Sequence, residues 1–290
     1  MPLYDLIIAP FTEFEFMRRA LIGVLALSLG AGPLGTFLML QRMSLTGDAM
    51  SHAILPGAAI GFLFAGLNLY AMSLGGLVAG LFVAVGAGVV ARATELKEDA
   101  SLAAFYLISL ALGVLIVSLR GSNVDLLHVL FGTVLGIDDA TLLLIAGITT
   151  LTLVTLAIIW RPLVMDCVDP VFLASVSRMG GPAHIAFLAL VVLNLVGGFH
   201  ALGTLLAVGL MMLPAATSRF FVRDLSSLVT LATIIAFISG MAGLLVSYHL
   251  GTPSGPSIVL VAGVAYGLAV IFGPAGGVLS RLLPRRHLEA

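Results

Sequence analysis

The sequence has few charged residues. Only 9% of its 290 residues are Asp, Glu, Lys or Arg, whereas 60% are hydrophobic, and the mean hydropathy is +1.20. A soluble domain carries about a quarter charged residues, so this composition is typical of an integral membrane protein. The net charge of -1, without any cluster of Lys and Arg, excludes a nucleic-acid-binding surface.

Cysteine and lysine are almost absent. The single cysteine, Cys167, excludes an intramolecular disulfide framework and a multi-thiolate metal site. The one lysine, Lys97, lies in Thr-Glu-Leu-Lys-Glu-Asp, and the sequence holds no Gly-x-x-x-x-Gly-Lys-Ser/Thr motif. The chain therefore does not bind and hydrolyse ATP in the P-loop manner, and ATP-driven work by this protein requires a separate ATPase polypeptide.

The N-terminus lacks the basic-then-apolar pattern of a cleaved signal peptide, because acidic residues precede Arg18 and Arg19. Residues 1–19 are predicted to form an amphipathic segment at the membrane interface, interrupted at Pro10. We expect one permease domain over residues 1–290, since the polar stretches between apolar segments are too short to fold alone.

Apolar segments long enough to cross about 30 Å of hydrocarbon follow one another along the chain. They predict an all-α polytopic membrane protein with eight or nine transmembrane helices. A shorter apolar piece at 124–136 is predicted to be a re-entrant or tilted helix. The predicted spans are residues 20–41, 49–66, 70–92, 100–118, 138–160, 184–200, 203–221, 227–248 and 257–280.

Small residues and prolines lie inside these spans. Glycines let helix backbones approach closely in lipid, so they are predicted to mark packed helix faces. Pro56, Gly57, Gly203 and Pro214 are predicted sites of helix breaks or close packing.

Positive charge gives the orientation. The positive-inside rule assigns the basic loops of the second half, including 161–183, to the cytoplasm and the Arg-free loop at 249–256 to the outside. Successive loops alternate between the two sides of the membrane. Counting the spans back to the N-terminus on this basis puts Arg18 and Arg19 outside and Arg42 inside. Either a span is miscounted or the basic pair lies at the interface.

Asp48 and His52 are placed one helical turn apart at the head of an apolar segment. A carboxylate and an imidazole on one helix face can share a first-row divalent metal ion. A buried ion pair that fixes helix packing explains the same spacing. Two ligands do not complete the shell of zinc or manganese, so water, backbone carbonyls, another span or a second copy must supply the rest.

The polar stretch 161–183 predicts a short helix. Asp169 suits the N-cap, Pro170 the first helical position and Gly180 the helix end. With Phe172 on its apolar face, such a helix either docks a soluble partner or lies on the bilayer as an ordinary connection.

Five motifs, in order along nearly the whole chain, resemble the membrane subunits of the zinc/manganese/iron ABC transporters. The specific ones are Met43-Ser-Leu-Thr-Gly-Asp-Ala-Met-Ser-His-Ala-Ile-Leu-Pro-Gly57 and Gly203-Thr-Leu-Leu-Ala-Val-Gly-Leu-Met-Met-Leu-Pro-Ala-Ala216. The supporting ones are Asp125-Leu-Leu-His-Val-Leu-Phe-Gly132, Asp169-Pro-Val-Phe172 and Pro253-Ser-Gly-Pro256.

The resemblance implies a multi-pass permease of the bacterial plasma membrane, which is the inner membrane in a Gram-negative cell. By the same resemblance it would form a homodimer or pair with a close paralogue, work with two cytoplasmic ATPase subunits, and receive metal from a periplasmic protein or lipoprotein. No cofactor is held permanently; zinc or manganese is the expected cargo, with ferrous iron as the third candidate. Asp48 and His52 would line the pathway. The element around Asp169, Pro170, Phe172, Arg178 and Gly180 would be the cytoplasmic coupling helix that contacts the ATPase.

Other polar residues are weaker candidates. His200 and His249, at predicted external span ends, suit capture of a delivered ion or are ordinary interfacial histidines. Asp125 and His128 form either a second polar pair near the pathway or a structural hydrogen bond. His184 is expected to face solvent. Two further functions stay open: a proton-coupled secondary transporter, and an ABC permease for a metal chelate.

Overall fold

The computed structural model describes residues 3–66, 68–96, 98–119 and 137–282, and within these ranges the chain is helical without any strand. The helices pack against one another as a helical bundle, in agreement with the all-α architecture predicted from the sequence. They are Leu3–Ile7 (α1), Ala9–Glu13 (α2), Glu15–Leu40 (α3), Ser44–Ala53 (α4), Leu55–Ala65 (α5), Leu69–Ala93 (α6), Glu98–Leu119 (α7), Asp139–Val168 (α8), Pro170–Val176 (α9), Gly180–Leu202 (α10), Thr204–Ser218 (α11), Leu225–Leu250 (α12), Ser254–Phe272 (α13) and Val278–Leu282 (α14).

Seven segments of the described chain are long and apolar enough to cross a membrane, with α4 and α5 together forming one of them. Two shorter apolar helices, within α7 and α11, accompany them. The prediction of an all-α polytopic membrane protein is thereby confirmed. The apolar piece at 124–136 lies outside the described residues.

Glycine brings the helices close together, as predicted. A Cβ on Gly32 would lie 2.9 Å from the backbone nitrogen of Thr233, and one on Gly35 would overlap the carbonyl oxygen of Met211. These contacts join α3 to α12 and α11 at backbone-to-backbone distance. Only a residue without a side chain permits such packing, which supplies van der Waals contact where lipid offers no hydrophobic driving force.

The N-terminal segment consists of two short helices instead of one amphipathic helix. The break falls at Ile8, and Pro10 sits in the first turn of α2, where its missing N–H costs no helical hydrogen bond. Nε2 of His249, at the end of α12, lies 3.0 Å from the carbonyl oxygen of Leu6. The N-terminus therefore shares one end of the bundle with the C-terminus of α12.

Contacts between helix ends settle the relative placement of the N-terminal arginines. Arg19 pairs with Glu15 at 2.8 Å and with Asp139, the first residue of α8, at 3.2 Å. At the other end of the same two helices, Gln41 donates to Asp166 at 3.3 Å. Arg18 and Arg19 thus lie at the end of the bundle opposite Arg42. This agrees with the alternation of loops across the membrane that was counted back from the second half of the sequence.

The last predicted span is too long. The helix predicted over 257–280 ends at Phe272, and a turn separates it from α14. The N–H of Ala275 in that turn donates to the carbonyl of Phe220 at 2.8 Å. Gly273 and Gly276 permit this reversal, and Gly276 has a φ of 136°, which other residues rarely adopt.

Candidate metal site

Asp48 and His52 lie on one face of α4, as their spacing predicts. Oδ1 of Asp48 is 3.9 Å from Nε2 of His52, and the two side chains are 64% and 32% exposed. Two ligands that each lie about 2.1 Å from an ion are at most about 4.2 Å apart, so one divalent ion can contact both. In the single chain the Asp48 carboxylate is largely exposed, so a metal ion can reach it. A structural ion pair stays the alternative interpretation of the same contact.

The imidazole of His52 is held from the side by α7. Its ring stacks on Tyr106 with centroids 6.1 Å apart and planes 29° from parallel. The hydroxyl of Ser109, one turn along α7, donates to the carbonyl of Ala53 at 3.1 Å. Both contacts fix the position of α4 relative to α7, so α7 forms part of the site.

Tyr106 and Ser109 were not identified from the sequence. The available signal was their spacing of three residues within the otherwise apolar span 100–118, since polar side chains inside a span commonly mark interhelical contacts or a pathway. Nδ1 of His52 is buried and has no hydrogen-bond partner among the described residues. Nothing in the described part of the chain therefore fixes which ring nitrogen carries the proton.

The predicted break beyond His52 is present. Helix α4 ends at Ala53 and α5 begins at Leu55, with Pro56 in its first turn. Pro56 has no N–H to donate to the carbonyl of His52, so this carbonyl lacks the usual helical donor four residues later. Gly57 serves packing: its Cα faces the carbonyl of Gly75 on α6.

Gly203 and Pro214 differ in their structural roles. Gly203, with φ 86°, links α10 directly to α11, and its N–H donates to the carbonyl of Phe199 at 3.2 Å. This left-handed conformation requires glycine. Pro214 lies buried inside α11 without ending it, so of the two predicted roles it fits close packing and not a helix break.

The other histidine candidates do not join Asp48 and His52. His249 is at the far end of the bundle beside Leu6, and His200 belongs to the last turn of α10. Asp125 and His128 lie outside the described residues. Within the described ranges no group of three or more His, Cys, Asp and Glu side chains could hold a metal ion. One chain thus offers two convergent side-chain ligands there.

The predicted short helix after Asp169 is α9. The Asp169 carboxylate accepts the N–H of Phe172 at 2.8 Å, as an N-cap does, and Phe172 is exposed. The prediction for Gly180 was wrong: α9 ends at Val176, and Gly180 begins α10 instead. Leu173 turns inward against Gly180, so a side chain at position 180 would crowd it.

A polar contact joins the ends of three long helices beside α9. Gln41, after α3, donates to Asp166 near the end of α8, and Nδ1 of His184 on α10 is 3.9 Å from the same Asp166 oxygen. His184 is therefore mostly buried against α8, and the expectation that it faces solvent was wrong. Asp166 comes three residues before the α9 cap, and Gln41 comes three residues before α4.

A family model described as the ABC 3 transport family matches residues 13–273, which is most of the chain. The chain belongs to the ABC 3 transport family. It is a permease subunit and no enzyme, because ATP hydrolysis in ABC transporters is carried by separate ATPase subunits.

Relatives and a solved structure agree with this membership. The permease is 33% identical to "Manganese transport system membrane protein MntC" of Halalkalibacterium halodurans, over 93% of this chain and 91% of that one. It is 30% identical to "Probable iron transport system membrane protein" of Haemophilus influenzae, over 96% of each. The structure titled "PsaBC from Streptococcus pneumoniae in complex with Fab" matches with a TM-score of 0.84 and 28% identity, covering 95% of this chain and 98% of that one. The permease is accordingly a multi-pass protein of the bacterial plasma membrane.

Proposed function

We propose that this permease imports Mn²⁺ through a pathway lined by Asp48 and His52, driven by ATP hydrolysis on separate cytoplasmic subunits. The observation that carries the proposal is the 3.9 Å separation of Asp48 Oδ1 and His52 Nε2 on an exposed face of a membrane helix. A charged carboxylate is costly in hydrocarbon, so this face is expected to border water or protein and not lipid.

A second copy of the permease is the proposed source of the missing surroundings. Two side chains do not complete an octahedral Mn²⁺ shell, and the described part of one chain supplies no third convergent His, Cys, Asp or Glu. A facing copy, or a close paralogue, would bring a second pair to the same pathway, with water and backbone carbonyls near Pro56 adding oxygen ligands. Incomplete coordination by each copy also lets the ion leave, as transit requires.

The choice of metal follows the relatives and the donor atoms. Carboxylate, imidazole and carbonyl oxygen suit Mn²⁺, Fe²⁺ and Zn²⁺ alike, and intrinsic affinity favours zinc. Relatives over nearly the whole chain carry manganese and iron in their names. Mn²⁺ is therefore the first candidate and Fe²⁺ the second, while zinc is tested as a competitor.

Coupling is proposed to run through α9. We assign the end of the bundle that holds Arg42, Arg161, Arg178, Arg219 and Arg223 to the cytoplasm, because that end carries the excess of positive charge. The exposed apolar residues of α9 would then face the ATPase. The Gln41–Asp166 hydrogen bond links the segment before α9 to the segment before α4, so a displacement of α9 has a direct mechanical route to Asp48 and His52.

The opposite end would receive metal from an external binding protein. His249 lies at that end, and its Nε2 contacts the Leu6 carbonyl, which leaves Nδ1 as the nitrogen available to an incoming ion. His200, in the last turn of α10, is proposed to contribute at the same end of the bundle.

The experiment is uptake of radioactive Mn²⁺ into proteoliposomes that contain the permease, its co-purified ATPase and the external binding protein. Asp48→Ala and His52→Ala should each reduce ATP-dependent uptake by at least tenfold. Asp48→Asn, which keeps an oxygen ligand but no charge, should fall between wild type and Asp48→Ala. Leu143→Ala, which changes an equally exposed leucine on α8, is the matched control and should transport normally.

Each component of the proposal has its own contrary result. Normal uptake by Asp48→Ala would remove the carboxylate from the pathway. Uptake that persists without the ATPase, driven by a proton gradient, would support a secondary transporter. Uptake only of a chelated metal would support the chelate permease, and a preference for Zn²⁺ or Fe²⁺ in competition would change the cargo without changing the site.

A further inference from the structure

A cavity of about 540 Å³ opens at the end of the bundle that we assign to the cytoplasm. It lies where α3, α11 and α13 end and where α12 begins. Its lining combines apolar side chains, among them Met39, Leu40 and Leu228, with Arg219, Arg223 and Tyr266. The cavity does not include Asp48, His52 or α9, so it is separate from the proposed pathway and coupling helix.

Arg219 and Arg223 have no carboxylate partner within the ranges that the structure describes. Neither guanidinium lies within 4.0 Å of a carboxylate oxygen among the described residues. The carboxylate next to Arg223, that of Asp224, is already engaged as the N-cap of α12, where it accepts the N–H and the hydroxyl of Ser227 at 3.1 Å each. Two positive charges at the mouth of one cavity, without a carboxylate partner in the described part of the chain, attract an anion.

The cavity is built by specific packing. Phe220 contacts Tyr266 edge-on, with ring centroids 6.0 Å apart, and the turn after α13 is tied to the carbonyl of Phe220 by the N–H of Ala275. Gly273 packs against Phe220 at a distance that excludes a side chain. These contacts hold Tyr266 and the turn after α13 against Phe220, the residue next to Arg219.

The depth of the cavity fits an amphiphile. Helices that cross the bilayer are expected to reach the headgroup level at such an end, and tyrosine is enriched at that level. The cytoplasmic leaflet is the anionic one, and basic pockets between transmembrane helices on this side recognise anionic headgroups. The apolar wall gives the glycerol and upper acyl carbons a surface that a free anion would not use.

We propose that this cavity binds the headgroup of an anionic phospholipid. Arg219 and Arg223 contact the phosphate, Tyr266 lies at the level of the glycerol, and the wall of Met39, Leu40 and Leu228 contacts the first acyl carbons. The bound lipid would tie the ends of α3, α11, α12 and α13 together at the cytoplasmic surface. This inference does not depend on which metal is transported.

The test is a titration of delipidated full-length permease with phosphatidylglycerol, read by native mass spectrometry and thermal unfolding, with phosphatidylcholine as the neutral lipid. Phosphatidylglycerol should bind and raise the unfolding temperature more than phosphatidylcholine, and high salt should reduce the difference. Arg219→Gln combined with Arg223→Gln should weaken phosphatidylglycerol binding by at least tenfold, as loss of charge-assisted hydrogen bonds requires.

The control removes equal charge from the same membrane face outside the cavity. Arg161→Gln combined with Arg178→Gln should bind phosphatidylglycerol as the wild type does. Equal weakening by both double variants, or equal binding of both lipids by the wild type, would overturn the proposal. The wild-type comparison stays decisive even if the Arg219/Arg223 variant does not fold.

Two further measurements distinguish a bound phospholipid from a free anion and from a protein partner. Inorganic phosphate at millimolar concentration should not displace phosphatidylglycerol; if it does, the cavity is a free-phosphate site. Lipid binding should persist when the permease carries its ATPase. Loss of the lipid on ATPase binding, restored by removing the ATPase, would mean that this surface contacts a protein, and the lipid proposal would fail.

Discussion

Replacing Gly57 with alanine tests whether the contact between α5 and α6 is as close as the structure shows. A Cβ at this position would overlap the carbonyl oxygen of Gly75 and lie 2.5 Å from its carbonyl carbon and 2.6 Å from Cβ of Ala79. Overpacking of this kind costs about 1–3 kcal/mol, and the upper half of the range applies because the opposing atoms are backbone. Alanine regains about 1 kcal/mol in helix propensity. The expected net loss is about 1–2 kcal/mol.

Thermal unfolding of purified protein in detergent, followed by size-exclusion chromatography of heated samples, measures the effect. Gly57→Ala should lower the unfolding temperature by a few degrees. Gly147→Ala and Gly263→Ala are matched controls, since a Cβ at either position meets no atom within 4 Å. Both should leave the unfolding temperature unchanged or raise it. A Gly57→Ala protein that is as stable as these controls would refute the close α5–α6 contact.

Three other substitutions test local interactions. Asn194→Ala removes the hydrogen bonds from its amide to the Thr152 hydroxyl at 2.7 Å and to the Leu190 carbonyl at 2.9 Å, and should cost about 1–3 kcal/mol in thermal unfolding. Asp169→Ala should fray α9 and reduce metal-stimulated ATPase activity, while Asp169→Asn, which still caps, should restore it. Asp138→Ala should cost about 1 kcal/mol at neutral pH, because the Asp138 side chain caps α8. Hydrogen bonds from Thr141, side chain first and then backbone, lower the pKa of Asp138 below its ordinary 3.8, so the difference from wild type should persist above that pH and shrink as pH falls below it. A difference that grows in acid would contradict this cap.

The membrane spans could be predicted because their signal is local. Continuous apolar sequence located each span, but the ends moved where the chain makes a specific contact. Helix α8 continues eight residues beyond the predicted 160, through Pro162, and its polar end is supported by the Gln41–Asp166 hydrogen bond. A hydropathy window ends the predicted span before Arg161, because it contains no information about Gln41, the hydrogen-bond partner of Asp166 that lies more than a hundred residues away.

The candidate site was predictable only in part. Asp48 and His52 are four residues apart on one helix, so their proximity follows from helix geometry alone. The contacts of Tyr106 and Ser109 with that helix depend on how α7 packs, and the contact of His184 with Asp166 depends on the pairing of α8 with α10. Gly180 was misassigned because glycine suits both the end of one helix and the first turn of the next.

By itself, the sequence determined the membrane class, the all-α fold, the spacing of Asp48 and His52, and the absence of a P-loop, because composition and periodicity act within one segment. The tertiary structure alone decided that the N-terminus and His249 share one end of the bundle. It also brought Arg219, Arg223 and Tyr266 around one cavity, and joined Gln41 to Asp166 beside α9. Those arrangements depend on which helix faces pack together, and that choice is made by contacts between residues far apart in the chain.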